Sequence, residues 1–128
     1  MTENKAPATF VVYEEDPLVH MDIVDLLARG FCNWPLIVVD VLENLPEKLA
    51  AISGHKIIVT SANLKDIVSI AVKNAEHTKN TAAVLISEGM GAVGCHPVPL
   101  TLVPLPFKSE HLLDAVTRAL ESLLERPS

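Results

Sequence analysis

Ser61 is the residue best placed for chemistry in this chain. It follows the apolar run Ile57-Ile58-Val59-Thr60, where a buried strand should give way to a loop. In an open parallel α/β sheet, ligands and reacting groups gather at the carboxyl ends of the strands. A serine hydroxyl is a weak nucleophile there unless an adjacent base activates it. Glu14 and Glu15 end an earlier β-branched and aromatic run, Thr9 to Tyr13, and could supply that base. No oxyanion or phosphate-cradling motif accompanies them. The alternative for Ser61 is a strand-end hydroxyl that bonds locally.

Other candidate groups are weaker. His20, His55, His77, His96 and His111 are scattered, without metal-ligand spacing. Cys32 and Cys95 lie far apart and read as reduced thiols, in the core or half-exposed, with a disulfide or redox role as the alternative. Gly89-x-Gly91-x-x-Gly94 follows an apolar run and is the best small-ligand candidate. Taken as a dinucleotide fingerprint it is poor, because Pro97 and Pro99 interrupt the helix that such a motif must open.

Composition narrows the class. A chain of 128 residues suits one domain with a sizeable core: a lead-in over 1–8, disordered by its polarity, then a single unit over 9–128. Apolar residues make up 49% and charged residues 20%, an apolar excess that points to surface covered by a partner. The formal charge of −6 argues against a nucleic-acid face. No apolar run approaches the roughly 20 residues that span a bilayer. The polar start lacks the apolar core of a secretory signal, so a cytoplasmic location is expected.

The elements that would position Ser61 follow from pattern. Thr9–Tyr13, Leu36–Val39, Ile57–Thr60, Ala82–Ile86 and Leu100–Val103 read as strands. Asp16-Pro17 reads as a helix start, an Asp N-cap before Pro at the first helical position. That helix should run to Arg29, with Val19, Ile23, Leu26 and Leu27 inward and Gly30 as its stop. Pro46 opens a short helix that Ser53-Gly54 closes. A further helix spans Lys65 to Glu76, with Ile67, Val68, Ala71, Val72 and Ala75 on one face. Ser109 can cap a last helix whose apolar positions, Leu112 through Leu124, recur every three or four residues. Strands alternating with helices imply right-handed crossovers and a parallel sheet covered on both faces. Five such units make a flavodoxin-like doubly wound fold.

From about residue 9 to 124 the chain resembles the receiver domain of bacterial two-component response regulators. Val12-Tyr13-Glu14-Glu15-Asp16-Pro17-Leu18-Val19 looks like that family's first strand, acidic pair and first helix. Ile57 through Leu64 looks like its third strand and aspartate loop, and Leu105-Pro106-Phe107 like its Lys-Pro-Phe signature. The resemblance implies a five-stranded sheet in the order 2-1-3-4-5. It places Glu14 and Glu15 on the pair that holds Mg²⁺, although Glu in place of the usual Asp shifts the carboxylate by a methylene. The phosphate-accepting Asp falls on Ser61, the strand-end hydroxyl on Ser87, the phosphate-pairing Lys on Leu105 and the aromatic switch near Leu102. Losing both acceptor and lysine removes the electrostatics of phosphoryl transfer.

The resemblance therefore implies a degenerate receiver, not an enzyme, that binds a signalling protein and self-associates as a homodimer. No cofactor is expected beyond possible Mg²⁺ at the glutamates, and no nucleic-acid or membrane partner. The alternative is a sensor of Mg²⁺ or a small phosphorylated ligand or nucleotide at the strand ends. The segment between Ser87 and Leu105 is short and rich in Gly and Pro, so the fourth helix should be shortened or missing. Met90, Val93, Val98 and Leu100 there should either form an apolar contact surface or fold over the sheet edge.

Overall fold

Each apolar run of the sequence becomes a strand of one sheet. The computed structural model describes residues 7–62, 64–74, 76, 78–87, 100–104 and 109–125. In chain order these form β1 (Thr9–Tyr13), α1 (Pro17–Gly30), β2 (Leu36–Val38), a 3₁₀ turn (Leu42–Asn44), α2 (Leu45–Ala51), β3 (Lys56–Thr60), α3 (Leu64–Lys73), β4 (Thr81–Ser87), β5 (Leu100–Pro104) and α4 (Ser109–Glu125). All strand pairs are parallel and the order is β2-β1-β3-β4-β5. This is the flavodoxin-like doubly wound architecture that the alternating pattern implied. The fourth-helix expectation and the apolar surface around Met90 to Val98 fall on residues outside those described.

A parallel sheet must be covered on both faces, because its crossovers carry helices to each side. Side chains along a strand alternate between those faces. Phe10 and Val12 of β1, Ile57 and Val59 of β3, and Val84 and Ile86 of β4 therefore pack on one side, with Ile23 and Leu27 of α1 and Leu112, Val116 and Leu123 of α4. Val11, Tyr13, Ile58, Ala83 and Leu85 pack on the other, with Leu45 and Leu49 of α2 and Ile67 of α3. All five residues of β3 are buried. Lys56 is the buried cation among the described residues, at the amino end of β3, where burial lowers its pKa. Among the described residues, no helix is long and apolar enough to cross a membrane.

Local signals set the element ends. The Asp16 carboxylate accepts from the Leu18 and Val19 amides at 2.9 and 3.3 Å, and Pro17 sits in the first turn of α1. Gly30 is the last residue of α1 rather than the residue beyond it. A Cβ there would come within 2.6 Å of the Leu113 side chain, so the end of α1 packs closely on α4 at this glycine. Gly54, at φ +89°, makes the turn into β3, a conformation costly for other residues. The helix after β3 ends at Lys73, three residues short of its expected end. Beyond it the Thr78 hydroxyl donates to the carbonyls of Ala71 and Asn74 at 3.4 and 3.3 Å.

Three sequence expectations need correction. Val72 and Leu124, assigned to inward faces, are exposed, because each apolar stripe is wider than the strip of helix that meets the sheet. Ala8, assigned to the lead-in, is buried in the core beside β1. Cys32 is a free and exposed thiol, while Cys95 lies outside the described residues.

Trp34 stacks on Phe10 at 5.1 Å and meets Phe31 at 4.7 Å, so its fluorescence should report unfolding. Leu27→Ala, which empties a fully buried site, should lower stability by about 2–5 kcal/mol in urea titrations. Leu18→Ser, on the outward side of α1, should change it by less than about 0.5 kcal/mol.

Candidate functional site at the carboxyl ends of the strands

Register brings the candidate residues to one edge of the sheet. Tyr13 of β1 is level with Thr60 of β3, and Thr60 with Leu85 of β4. The next residues along, Glu14 and Ser61, therefore leave the sheet from neighbouring strands that lie about 4.8 Å apart. Ser87 ends β4 opposite Pro104 of β5. The sequence-predicted Glu14, Glu15, Ser61 and Ser87 thus all emerge at the carboxyl ends of central strands. Leu102 lies further back on β5, level with Leu85, and packs half-buried against the α2/α3 side of the core. Leu105, Cys95, His96 and the Gly89–Gly94 loop lie outside the described residues.

Local bonds occupy most of the polar groups at this edge. Glu14 is half-buried, and its Oε2 accepts from the Asp16 amide at 3.0 Å. Its Oε1 is buried without a hydrogen-bond partner among the described residues. Glu15 is exposed, and its Oε2 accepts from the Tyr13 phenol at 2.9 Å. Asp16 caps α1. On the next strand the Thr60 hydroxyl accepts from the Ala62 amide at 3.0 Å, shaping the loop that carries Ser61. Ser61 is exposed, and no hydrogen bond joins it to Glu14 or Glu15 among the described residues. A base must lie within hydrogen-bond reach of the proton it takes. Neither glutamate is poised that way for Ser61.

The receiver-like arrangement implies Mg²⁺ at this edge, which the donors can be tested against. Magnesium is a hard cation that requires near-octahedral oxygen coordination. Glu14 Oε1, buried and unbonded, suits a cation. The remaining donors do not assemble around it: Glu15 is tied to Tyr13, Asp16 to α1, and Ser61 offers a neutral hydroxyl. Among the described residues, no group of three or more His, Cys, Asp or Glu side chains is placed to hold a metal. Among the described residues, the donors at this edge do not make up the oxygen shell of a Mg²⁺ held as in a receiver.

The Tyr13–Glu15 bond was not evident from the sequence. Its signal was the spacing, a tyrosine ending a buried strand two residues before an acid. Burial raises the Tyr13 pKa first, followed by the hydrogen bond and charge of Glu15 and the charges of Glu43 and Glu14.

Comparison with known proteins gives the fold a context. No protein-family model and no curated protein matches the chain in sequence. Solved structures do match in three dimensions. The chain superposes on the signal receiver domain of an HD domain-containing protein from Pseudomonas fluorescens Pf-5 with a TM-score of 0.74 and 15% identity, covering 97% of this chain and 93% of that one. A response regulator receiver protein from Sinorhizobium medicae WSM419 gives 0.67 and 17%, covering 91% and 96%. A CheY-like response regulator receiver domain from Methanospirillum hungatei JF-1 gives 0.68 and 13%, covering 94% and 99%. At these identities the likeness is one of fold.

Tyr13 is the only tyrosine in the chain, so tyrosinate absorbance reports it alone. Its titration should lie above the ordinary value of 10.0, and Glu15→Gln should lower the midpoint without bringing it down to that value, because burial remains. An unchanged midpoint would show that the Tyr13–Glu15 bond does not form in solution. A pKa raised by folding contributes stability that is present below the unfolded value and lost as pH climbs through the folded one. Relative to Tyr13→Phe, the native chain should therefore lose stability as pH rises above 10.0.

Proposed function

We propose that this chain is a receiver-like signalling domain that works by binding a protein partner, without passing through an aspartyl phosphate. The observation that carries the reading is Ser61, a neutral and exposed hydroxyl at the strand end where an acceptor carboxylate would stand, with no base bonded to it among the described residues. A carboxylate attacks phosphorus as an anion already formed at neutral pH, whereas a serine needs its proton removed. Leu105 in place of the lysine agrees with this in sequence, since a cation has no role there once the acceptor is uncharged. The three receiver folds described above support a regulatory role over an enzymatic one. Homodimerisation in the cytoplasm belongs to the same proposal.

The orphaned Glu14 Oε1 favours a second reading, in which a cation or a small phosphorylated ligand completes this edge. One experiment separates the two. A ligand that binds only the folded state raises the melting temperature. Under the first reading, Mg²⁺ with beryllofluoride should leave Tm unchanged. A saturable rise that disappears in Glu14→Ala and Glu15→Ala would establish the second reading and defeat the first.

A further inference from the structure

The net charge of this chain is concentrated at one end of the sheet. Residues 14–48 hold eight acids and two bases, which accounts for the whole formal charge of −6. The remainder of the chain is balanced. The fold gathers this segment at the β2–β1 end, so among the described residues that side carries nearly all of the net charge. One of the two bases, Arg29, is already paired with Asp25.

The same end exposes apolar side chains that the core does not use. Leu18 and Met21 of α1 are 73% and 66% exposed, and Val38 and Val41, at and just past the end of β2, are 40% and 46%. Leu18, Met21, Asp22 and Asp25 fall at the i, i+3, i+4, i+7 spacing of one helical stripe, and all four are exposed. That stripe lies opposite Ile23 and Leu27, which bury against the sheet. Val38 is level with Val12 of β1, and Asp40 stands exposed between Val38 and Val41. Among the described residues, neither Asp22 nor Asp40 has an ion-pair partner.

We propose that the outward face of α1, together with the carboxyl end of β2 on the same side of the sheet, docks a basic amphipathic segment of a protein partner. This rests on the reading that the chain acts by binding protein, and it names the surface and the chemistry of the partner. Exposed apolar groups rimmed by one sign of charge suit a partner whose apolar residues are flanked by the opposite sign. A second copy meeting it through the same corner would bring acid against acid. A nucleic acid or an anionic membrane would be repelled in the same way.

The probe is a synthetic helix of about four turns, with Leu at i, i+3, i+4, i+7 and Lys elsewhere; its counterpart carries Glu in place of Lys. Amide chemical shifts of α1 and of residues 38–41 should move saturably with the Lys peptide and not with the Glu peptide. The Leu18→Ser/Met21→Ser double variant should weaken binding by about tenfold or more, as expected for apolar anchors. Asp22→Lys should weaken it and flatten its salt dependence. Leu18→Ser leaves a buried core untouched, so a loss of binding is not a loss of folding, and the melting curve of the double variant checks this.

Shifts confined to other elements, or binding indifferent to the double variant, would overturn the proposal, the second by reducing it to non-specific charge attraction. Either result leaves the partner-binding reading intact and moves the contact elsewhere. A beryllofluoride response would overturn that reading without bearing on this corner.

Discussion

The structure depends on one constraint: its central strands are buried on both faces. β3 has no exposed residue, and Phe10, Val11 and Val12 of β1 are almost wholly enclosed. Such strands have no water-facing side on which to carry polar groups. Two helices must cover each face, which is why α1 and α4 share one core and α2 and α3 the other. Polar residues from these strands can be used only where the strands end. Glu14, Ser61 and Ser87 fall at those ends because the packing leaves them no other place.

Strand ends in this architecture are where chemistry is to be looked for, yet position alone does not make a site. Here the nearby polar groups serve local structure. Asp16 caps the amino end of α1, Thr60 shapes the loop after β3, and Glu15 holds the Tyr13 phenol. A group already engaged in a local hydrogen bond must give it up before it binds a ligand. The orphaned oxygen of Glu14 is the exception, and a single carboxylate oxygen is a small fraction of a coordination shell. Architecture and chemistry are separable in this fold, which hosts different functions through different residues at the same places.

Charge adds a second level of organisation. The strand order places the acidic first third of the chain at one end of the molecule, so a sequence bias becomes a spatial one. Self-repulsion among these carboxylates opposes folding slightly and also sets which partners can approach. The apolar residues that α1 leaves outside lie within this field. They have no part in the hydrophobic core, since the opposite side of the same helix supplies Ile23 and Leu27 to it.

The sequence by itself determined the strands, the helices and their alternation. A β-branched run such as Thr9–Tyr13, or a three-and-four repeat such as Leu112 to Leu123, carries its own periodicity, and Asp16-Pro17 carries its own cap. These are local properties, set within a few residues. It also determined that the strand-end group at 61 is neutral, because side-chain identity needs no fold. Tertiary structure alone decided the rest. Which apolar residues face outward, as Val72 and Leu124 do, depends on how much of each helix the sheet can cover. Whether Glu14, Glu15 and Ser61 act together depends on hydrogen bonds made by Tyr13 and Asp16. That the acidic segment, with exposed Leu18, Met21, Val38 and Val41, lies on the β2–β1 side follows from strand order, which joins residues far apart in the chain through contacts that no local pattern encodes.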